Sequence, residues 1–408
     1  MTAATRAETG ASTGAPERRR GDGRTYAAYH RPWWFRTFIS AEFLIIALLV
    51  VVWIIATTSV DNFSGPLTVR YLLMDIAPLM MIALPMTLVI ITGQIDLSVA
   101  STMGLSTVVV GILHVQVGLS IPVAGLLAIL VGVLCGVFNG FLVAYVKLPS
   151  LAVTIGTLAL YRGIAVGLLG TTALTDFDQE WSDLATSSIG ESRIPAIMIP
   201  VVILIVIFAV LLHFTPFGRG LYDIGHNDQA ARFSGVNVAR SQMTTFILTG
   251  AVSAAAGIFY TLRFGNSRGD NATGLELEVI AAVLLGGVLI FGGRGAIHGV
   301  LAGALLIGVL SSALRLEGVT VNVINIIIGL LLVISVLAPT LVAGVQRLTS
   351  RRGGSGPGPE RSSPASAPPE PSDPATQQEP TQHDSAPNQS THQESARADS
   401  ASKPTVTP

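Results

Sequence analysis

Within a long apolar stretch, the run Ile91-Thr92-Gly93-Gln94-Ile95-Asp96-Leu97-Ser98-Val99-Ala100-Ser101 gathers an amide, a carboxylate and several hydroxyls. Polar and ionisable groups at membrane depth are expensive, and they usually have a job in transport or packing. Two kinds of chemistry are open to these. Asp96 suits the N-cap of a helix beginning at Leu97, with Ser98 and Ser101 in its first turn. Alternatively, Thr92, Gly93, Gln94, Asp96, Ser98 and Ser101 belong to a broken helix pair that shapes a translocation path near its cytoplasmic end. Pro78 and Pro85 precede the run and interrupt the helical hydrogen-bond ladder, while Gly93 permits a non-helical backbone.

A second interruption extends from Gly286-Gly287 through Phe291-Gly292-Gly293-Arg294-Gly295. Both interruptions read as short inner turns between apolar helices, which hints at an internal repeat. Gly286, Gly287, Gly292 and Gly293 are expected to permit close helix packing rather than to line a site. Glu276 and Glu278, just after Thr273-Gly274, read as the start of a helix at the outer surface, where carboxylates favour the helix dipole.

Other chemistry is missing. There is no G-x-x-x-x-G-K-[ST] phosphate loop, and the only lysines, Lys147 and Lys403, stand in other contexts. No H-E-x-x-H, C-x-x-C or nucleophile elbow occurs, and the single Cys135 excludes a disulfide framework or multi-cysteine metal site. Neither ATP hydrolysis by the usual route nor covalent catalysis is expected. The reading is that this is not an enzyme and binds no metal.

The elements that must position these residues follow from composition. Of 408 residues half are apolar and 12% charged, against about 25% charged in soluble domains. Thirteen of the 24 Lys and Arg lie before Thr37 or after Gln346, so the interval between is nearly continuous apolar sequence. The pattern predicts an all-α polytopic membrane protein, because a helix needs roughly 20 residues to cross the hydrocarbon. Adequate runs lie near 38–57, 70–92, 97–113, 122–145, 150–170, 196–214, 243–262, 277–291, 296–314 and 322–342. That predicts ten spans, or eight if each interrupted pair is one broken element.

Positive charge orients the bundle. With the N-terminus inside, the inner side receives Lys147, Arg219, Arg232, Arg240, Arg294, Arg347, Arg351 and Arg352. The outer loop 171–195 receives Asp176, Asp178, Glu180, Asp183 and Glu191 against Arg193. Both termini are expected in the cytoplasm. Residues 1–36 read as a disordered basic arm, 37–346 as the membrane domain and 347–408 as a disordered Pro/Ser/Gln-rich tail. From Gly353 onward there are eleven prolines and one aliphatic residue larger than Ala, Val406, too little to offset ordering entropy.

The inner connection 215–242 is too long for a turn and too polar to cross. Within it Asn227 suits an N-cap, Asp228 the first turn, and Gly235 the left-handed position after a short helix. A two-turn helix is marginal alone, so it needs something to pack against. Exposed Arg232 and Phe233 would suit a partner protein, or the element lies inert on the lipid surface.

Several stretches resemble the permease subunits of monosaccharide ABC importers, the ribose, galactose and rhamnose group. They are Leu84 to Val99, Leu148 to Leu158 with Tyr161-Arg162-Gly163, the inner loop from Phe217-Gly218-Arg219 through Gly225-His226-Asn227 to Ala230-Ala231, and Val283 to Gly287 with Phe291-Gly292-Gly293. The similarity runs in order over most of 40–342 and excludes the tails. It departs from the usual pattern at Gln94 and Ala100, where glycine is common. The stretch Arg263 to Asp270 is closer to the rhamnose and autoinducer-2 import permeases.

The resemblance implies a multi-pass subunit of the bacterial plasma membrane that imports a sugar or sugar-like molecule. It implies a second permease copy or paralogue, an extracytoplasmic substrate-binding protein, and a separate ATPase subunit that uses the ATP, with no cofactor on this chain. It further implies coupling to the ATPase through 215–242, on Phe217, Gly218, Arg219, Gly225, Asn227, Ala230 and Ala231, to which the reading of the short capped helix adds Arg232, Phe233 and Gly235. A proton-coupled transporter using Asp75 or Asp96, or a channel with the glycine breaks as its filter, would work without an ATPase.

Overall fold

The computed structural model describes residues 41–170 and 172–352, with side chains from Glu42 to Leu337. The basic arm 1–36 and the tail beyond Arg352 lie outside the described residues.

The described chain is helical. Ten helices correspond to the ten apolar runs: α1 Ala41–Ser59, α2 Pro66–Ile91, α3 Val99–Gly111, α4 Ile121–Ala144 and α5 Ser150–Leu169 come first. A short α6, Gln179–Thr186, lies in the connection expected to be outside, followed by α7 Met198–His213. The inner loop holds α8 Pro216–His226 and α9 Asp228–Phe233, and the chain ends in α10 Val238–Phe264, α11 Leu275–Leu285, α12 Ile297–Leu316 and α13 Val321–Arg352. A π-helical turn, Ile112–Gln116, extends α3.

The span count needs correction. Among the described residues seven helices are long and apolar enough to cross a membrane, or eight if α7 and α8, bent by 64°, form one broken span. The expected ten fail chiefly at α11, which has 11 residues where the apolar run suggested fifteen. Gly287, at φ +88°, turns the chain out of the helix before Val288. Helix α13 runs to Arg352, past the expected domain boundary at 346.

Helix α2 is the centre of the bundle, with nearly its whole length from Leu72 to Ile91 buried. A helix that is apolar on every face belongs inside. It continues through Pro78 and Pro85, so the prolines remove two backbone donors without ending the helix. Around it, small residues bring helices close. Side-chain atoms at Gly132 or Gly250 would overlap the facing backbone of α10 or α4, and Gly303 has no room against Ala282 of α11. Where lipid offers no less apolar surface than a neighbour, such close approach is what holds helices together.

Two ends of the bundle are distinct. At one meet the α2–α3, α4–α5, α7–α10 and α11–α12 connections. At the other, Leu174 pairs with Ser267, and Asp75 of α2 meets Arg263 of α10 and Arg315 of α12, the latter at 3.3 Å. Glu276 and Glu278 stand in the first turn of α11, as the sequence predicts.

Candidate functional site: two helix breaks and the inner loop

Both breaks are built alike. Helix α2 ends with Gly93 at φ +75°, where Gly93 N donates to Ile90 O at 2.8 Å and Gln94 N to Val89 O at 3.2 Å. Helix α11 ends with Gly287 at φ +88°, where Gly287 N donates to Leu284 O at 3.0 Å and Val288 N to Val283 O at 3.3 Å. Each is the Schellman arrangement, in which a left-handed glycine lets the chain fold back on the last orphan carbonyls. The two interruptions noted in the sequence thus share one backbone solution.

They also touch. Gly293 N donates to Ile91 O at 2.9 Å, joining the second break to the end of α2. Gly292, at φ +85°, is so close that a methyl there would sit 2.7 Å from Ile91 O and 2.8 Å from Gly93 N. Helix α8 closes on the same point. Its Gly225 has no room for a side chain against Ile91 O and Gly293, and Tyr222 Oη donates to Gly295 O at 2.8 Å.

Of the first-break residues, Thr92, Asp96, Ser98 and Ser101 are buried, Gln94 is half-buried and Gly93 exposed. Asp96 Oδ1 accepts from Ser98 N at 2.9 Å and from Ser98 Oγ at 2.7 Å. Helix α3 is regular only from Val99, two residues beyond the expected start, and Asp96 caps the turn that leads into it. Thr92 Oγ1 returns to Val89 O at 2.7 Å and Ser101 Oγ to Ser98 O at 2.8 Å. Asp96, Ser98 and Ser101 are therefore hydrogen-bonded within the fold of the break itself.

The break is held from outside by residues to which the sequence assigned no role. Asn139 of α4 donates to Ser98 Oγ at 2.8 Å, and Tyr161 of α5 donates within reach of Cys135 O, 3.1 Å, and Asn139 Oδ1, 3.3 Å. Ser150 Oγ accepts from Ile95 N at 3.2 Å, and Thr154 Oγ1 donates to Ile95 O at 3.3 Å. Arg162, next to Tyr161, donates to Gly269 O and Asn271 O at 2.7 Å each, and so ties α5 to the α10–α11 loop.

The inner loop carries two helices where the sequence suggested one. Thr215 caps α8 by accepting from Gly218 N at 3.1 Å, and Gly218 packs without clearance on Leu212. Phe217 is half-buried and Arg219 exposed. Asn227 caps α9, accepting from Gln229 N and Ala230 N at 3.0 Å. Helix α9 closes in a third Schellman turn, with Gly235 at φ +91°, Gly235 N on Arg232 O and Val236 N on Ala231 O, both 3.0 Å. Ala231 packs with Ile224, Val236 and Val238, which supplies the support so short a helix needs. Ala230 is exposed and Phe233 is 93% exposed. Arg232 pairs with Asp228 at 3.6 Å and lines a cleft of about 470 Å³ shared with Lys147. Lys147 is held below the ordinary lysine range by partial burial and then by Arg232, with Asp228 pulling the other way.

No group of three or more His, Cys, Asp or Glu capable of holding a metal occurs among the described residues. Residues 68–336 match the family described as branched-chain amino acid transport system / permease component. The chain is 36% identical over 262 residues to the autoinducer 2 import system permease protein LsrD of Escherichia coli O157:H7, covering 63% of this chain and 78% of that protein. It is 35% identical over the same shares to the proteins of that name from Escherichia coli K12 and Shigella flexneri. No solved structure matches it. With most of its length inside one family, and an apolar helical bundle to match, the chain belongs to the permease components of ABC importers, multi-pass subunits of the bacterial inner membrane whose ATPase activity resides in a partner subunit.

Proposed function

We propose that this permease imports a small hydroxylated molecule, rhamnose-like or autoinducer-2-like, and that helices α8 and α9 pass the ATPase cycle to the paired breaks. The observation that carries the reading is the contact of Gly225 with Ile91 and Gly293. A displacement of α8 by an ATPase would act on the ends of α2 and α11 together, and coupling requires such differential contacts in two states. Here Thr92 to Ser101 and Gly286 to Gly293 serve as the articulated backbone of the path.

The substrate class is taken from the import permeases that the chain resembles. In this assembly both termini are cytoplasmic, the Lys147, Arg219, Arg232, Arg240 and Arg294 end faces the ATPase, and two permease copies or paralogues flank the path. A binding protein delivers substrate at the opposite end.

The proton-coupled alternative draws no support from the geometry. Asp75 is engaged by Arg263 and Arg315, and Asp96 by Ser98, so neither is a free carrier. Co-reconstitution with the ATPase and binding protein in proteoliposomes tests the proposal. Uptake of rhamnose or autoinducer-2 that needs ATP on the ATPase side, and stimulation of hydrolysis by loaded binding protein, is the expected result. Uptake driven by a proton gradient without ATP would overturn it.

A further inference from the structure

The cleft between the α4–α5 turn and the α9–α10 turn shares Arg232 with the coupling helix α9, but the proposed coupling does not use the cleft itself. It is lined by Ala144, Tyr145, Lys147 and Arg232, with Asn237 and Val238 at the start of α10 on its far wall. Its volume, about 470 Å³, admits a headgroup rather than a water. Among the described residues Lys147 forms no ion pair, and the one carboxylate paired to Arg232 is Asp228 on the same helix. Both cations line one cleft, and Lys147 is held below the ordinary lysine range first by partial burial and then by Arg232. An anion between them would offset the effect of Arg232, and the N-terminus of α10 adds partial positive charge on the third side.

Two further observations bear on this site. Lys147 has a φ of +67°, a conformation that glycine takes freely and lysine does not. Asn62 and Ala272 share that region, so at Lys147 it marks strain that glycine would relieve. Above the cleft, Leu130, Leu134, Phe138, Phe141 and Tyr145 form one exposed stripe on α4 at helical spacing, with the last two rings 6.1 Å apart. That stripe ends at Tyr145, which also lines the cleft.

We propose that this cleft binds the phosphate headgroup of an acidic phospholipid of the phosphatidylglycerol class, with Lys147 and Arg232 as its cations and the α4 stripe as the bed for its acyl chains. Basic pockets at the ends of membrane helices recognise such lipids by charge at the interface.

The test uses the full permease–ATPase complex, extracted with mixed phosphatidylglycerol and phosphatidylcholine and read by native mass spectrometry of retained lipid. The natural protein should retain phosphatidylglycerol in preference to phosphatidylcholine, and Lys147→Arg should keep that preference. Lys147→Gly removes the charge while relaxing the backbone, so its melting temperature should hold or rise as retained phosphatidylglycerol falls about fivefold, the worth of one interfacial cation. Undiminished phosphatidylglycerol on Lys147→Gly would overturn the proposal. Displacement of the lipid by millimolar inorganic phosphate would assign the cleft to a soluble anion instead. Loss of the ATPase from Lys147→Gly with lipid retention unchanged would assign it to an acidic group on that subunit.

Discussion

The backbone N–H of Gly293 donates to the carbonyl of Ile91 at 2.9 Å. Ile91 is the last residue of the central helix, and its carbonyl is one of the four that a helix leaves without an internal partner. The second break supplies that partner. The second interruption therefore completes the first, and the carbonyl at their junction is also where Gly225 of α8 rests.

The junction tolerates no added atoms. A methyl on Gly225 would meet backbone on two sides, at Ile91 and Gly293, which do not yield as side chains do. Gly225→Ala should lower stability by about 1–3 kcal/mol through overpacking and depress uptake further than abundance explains. Gly220→Ala on the same helix meets only side-chain atoms of Val236, at 3.2 Å, and should be milder in both. Thermal unfolding in detergent and uptake at matched abundance separate the two variants. Equal, mild behaviour would mean that α8 does not bear on the breaks.

Asp96 gives a cleaner separation of roles. Its Oδ1 accepts both bonds from Ser98, and an asparagine offers the same oxygen, so Asp96→Asn should be nearly silent in uptake. Asp96→Ala leaves the Ser98 N–H and hydroxyl unmet in a buried site, at a cost of about 1–3 kcal/mol per group, and should reduce abundance. Uptake by Asp96→Asn below about a tenth of the natural level at equal abundance would show that the charge itself matters, since capping strength hardly differs between the two residues.

At the opposite end Asp75 holds Arg263, whose side chain is 9% exposed. Asp75→Ala would leave that guanidinium unpaired, and because Asp75 itself is 37% exposed and water screens part of the loss, the cost should be about 1–2 kcal/mol. The predicted phenotype is reduced thermal stability with the ATP dependence of transport unchanged. Removing the partner as well, in Asp75→Ala with Arg263→Leu, should recover part of the loss. Uptake by the natural protein that a protonophore abolished while ATP stayed high, with that sensitivity lost in a normally folded Asp75→Ala, would return Asp75 to a proton-carrying role.

Hydropathy revealed every apolar helix, because burial in lipid demands apolar residues whatever the tertiary arrangement. It overstated the spans because Val288-Leu289-Ile290-Phe291 is as apolar as a helix while Gly287 and Gly292 turn its backbone. Hydropathy carries no dihedral information. The reverse error hid α8. Gly218, Gly220 and Gly225 argue against a helix by propensity, but in place Gly218 and Gly225 are what allow it to lie against Leu212 and Ile91. The caps at Asn227 and Gly235 were legible because they are local. Asn139 and Tyr161, which brace Ser98 across 41 and 63 positions of chain, were not, since nothing local records which helices become neighbours.

The end of α9 separates coupling from the integrity of the path. Gly235 has φ +91° and nothing within 4 Å of where a Cβ would stand, so a side chain there is opposed by backbone conformation alone. A β-branched residue is the least suited to that region, and Gly235→Val should open the Schellman turn that bonds Val236 to Ala231. Ala231 would then lose its seat among Ile224, Val236 and Val238, and α9 would be misplaced while the α2–α11 junction stayed intact. Abundance and membrane insertion should be normal, with co-purification of the ATPase weakened and stimulation of hydrolysis by loaded binding protein lost. Gly235→Asn, which tolerates left-handed backbone far better, should recover most of both. Phe233→Ser probes the same interface without disturbing the turn, because that ring is 93% exposed and touches little of its own chain. If Gly235→Val and Phe233→Ser both assembled and were fully stimulated, α9 would not be the element through which the ATPase is felt, and α8 alone would have to carry that contact.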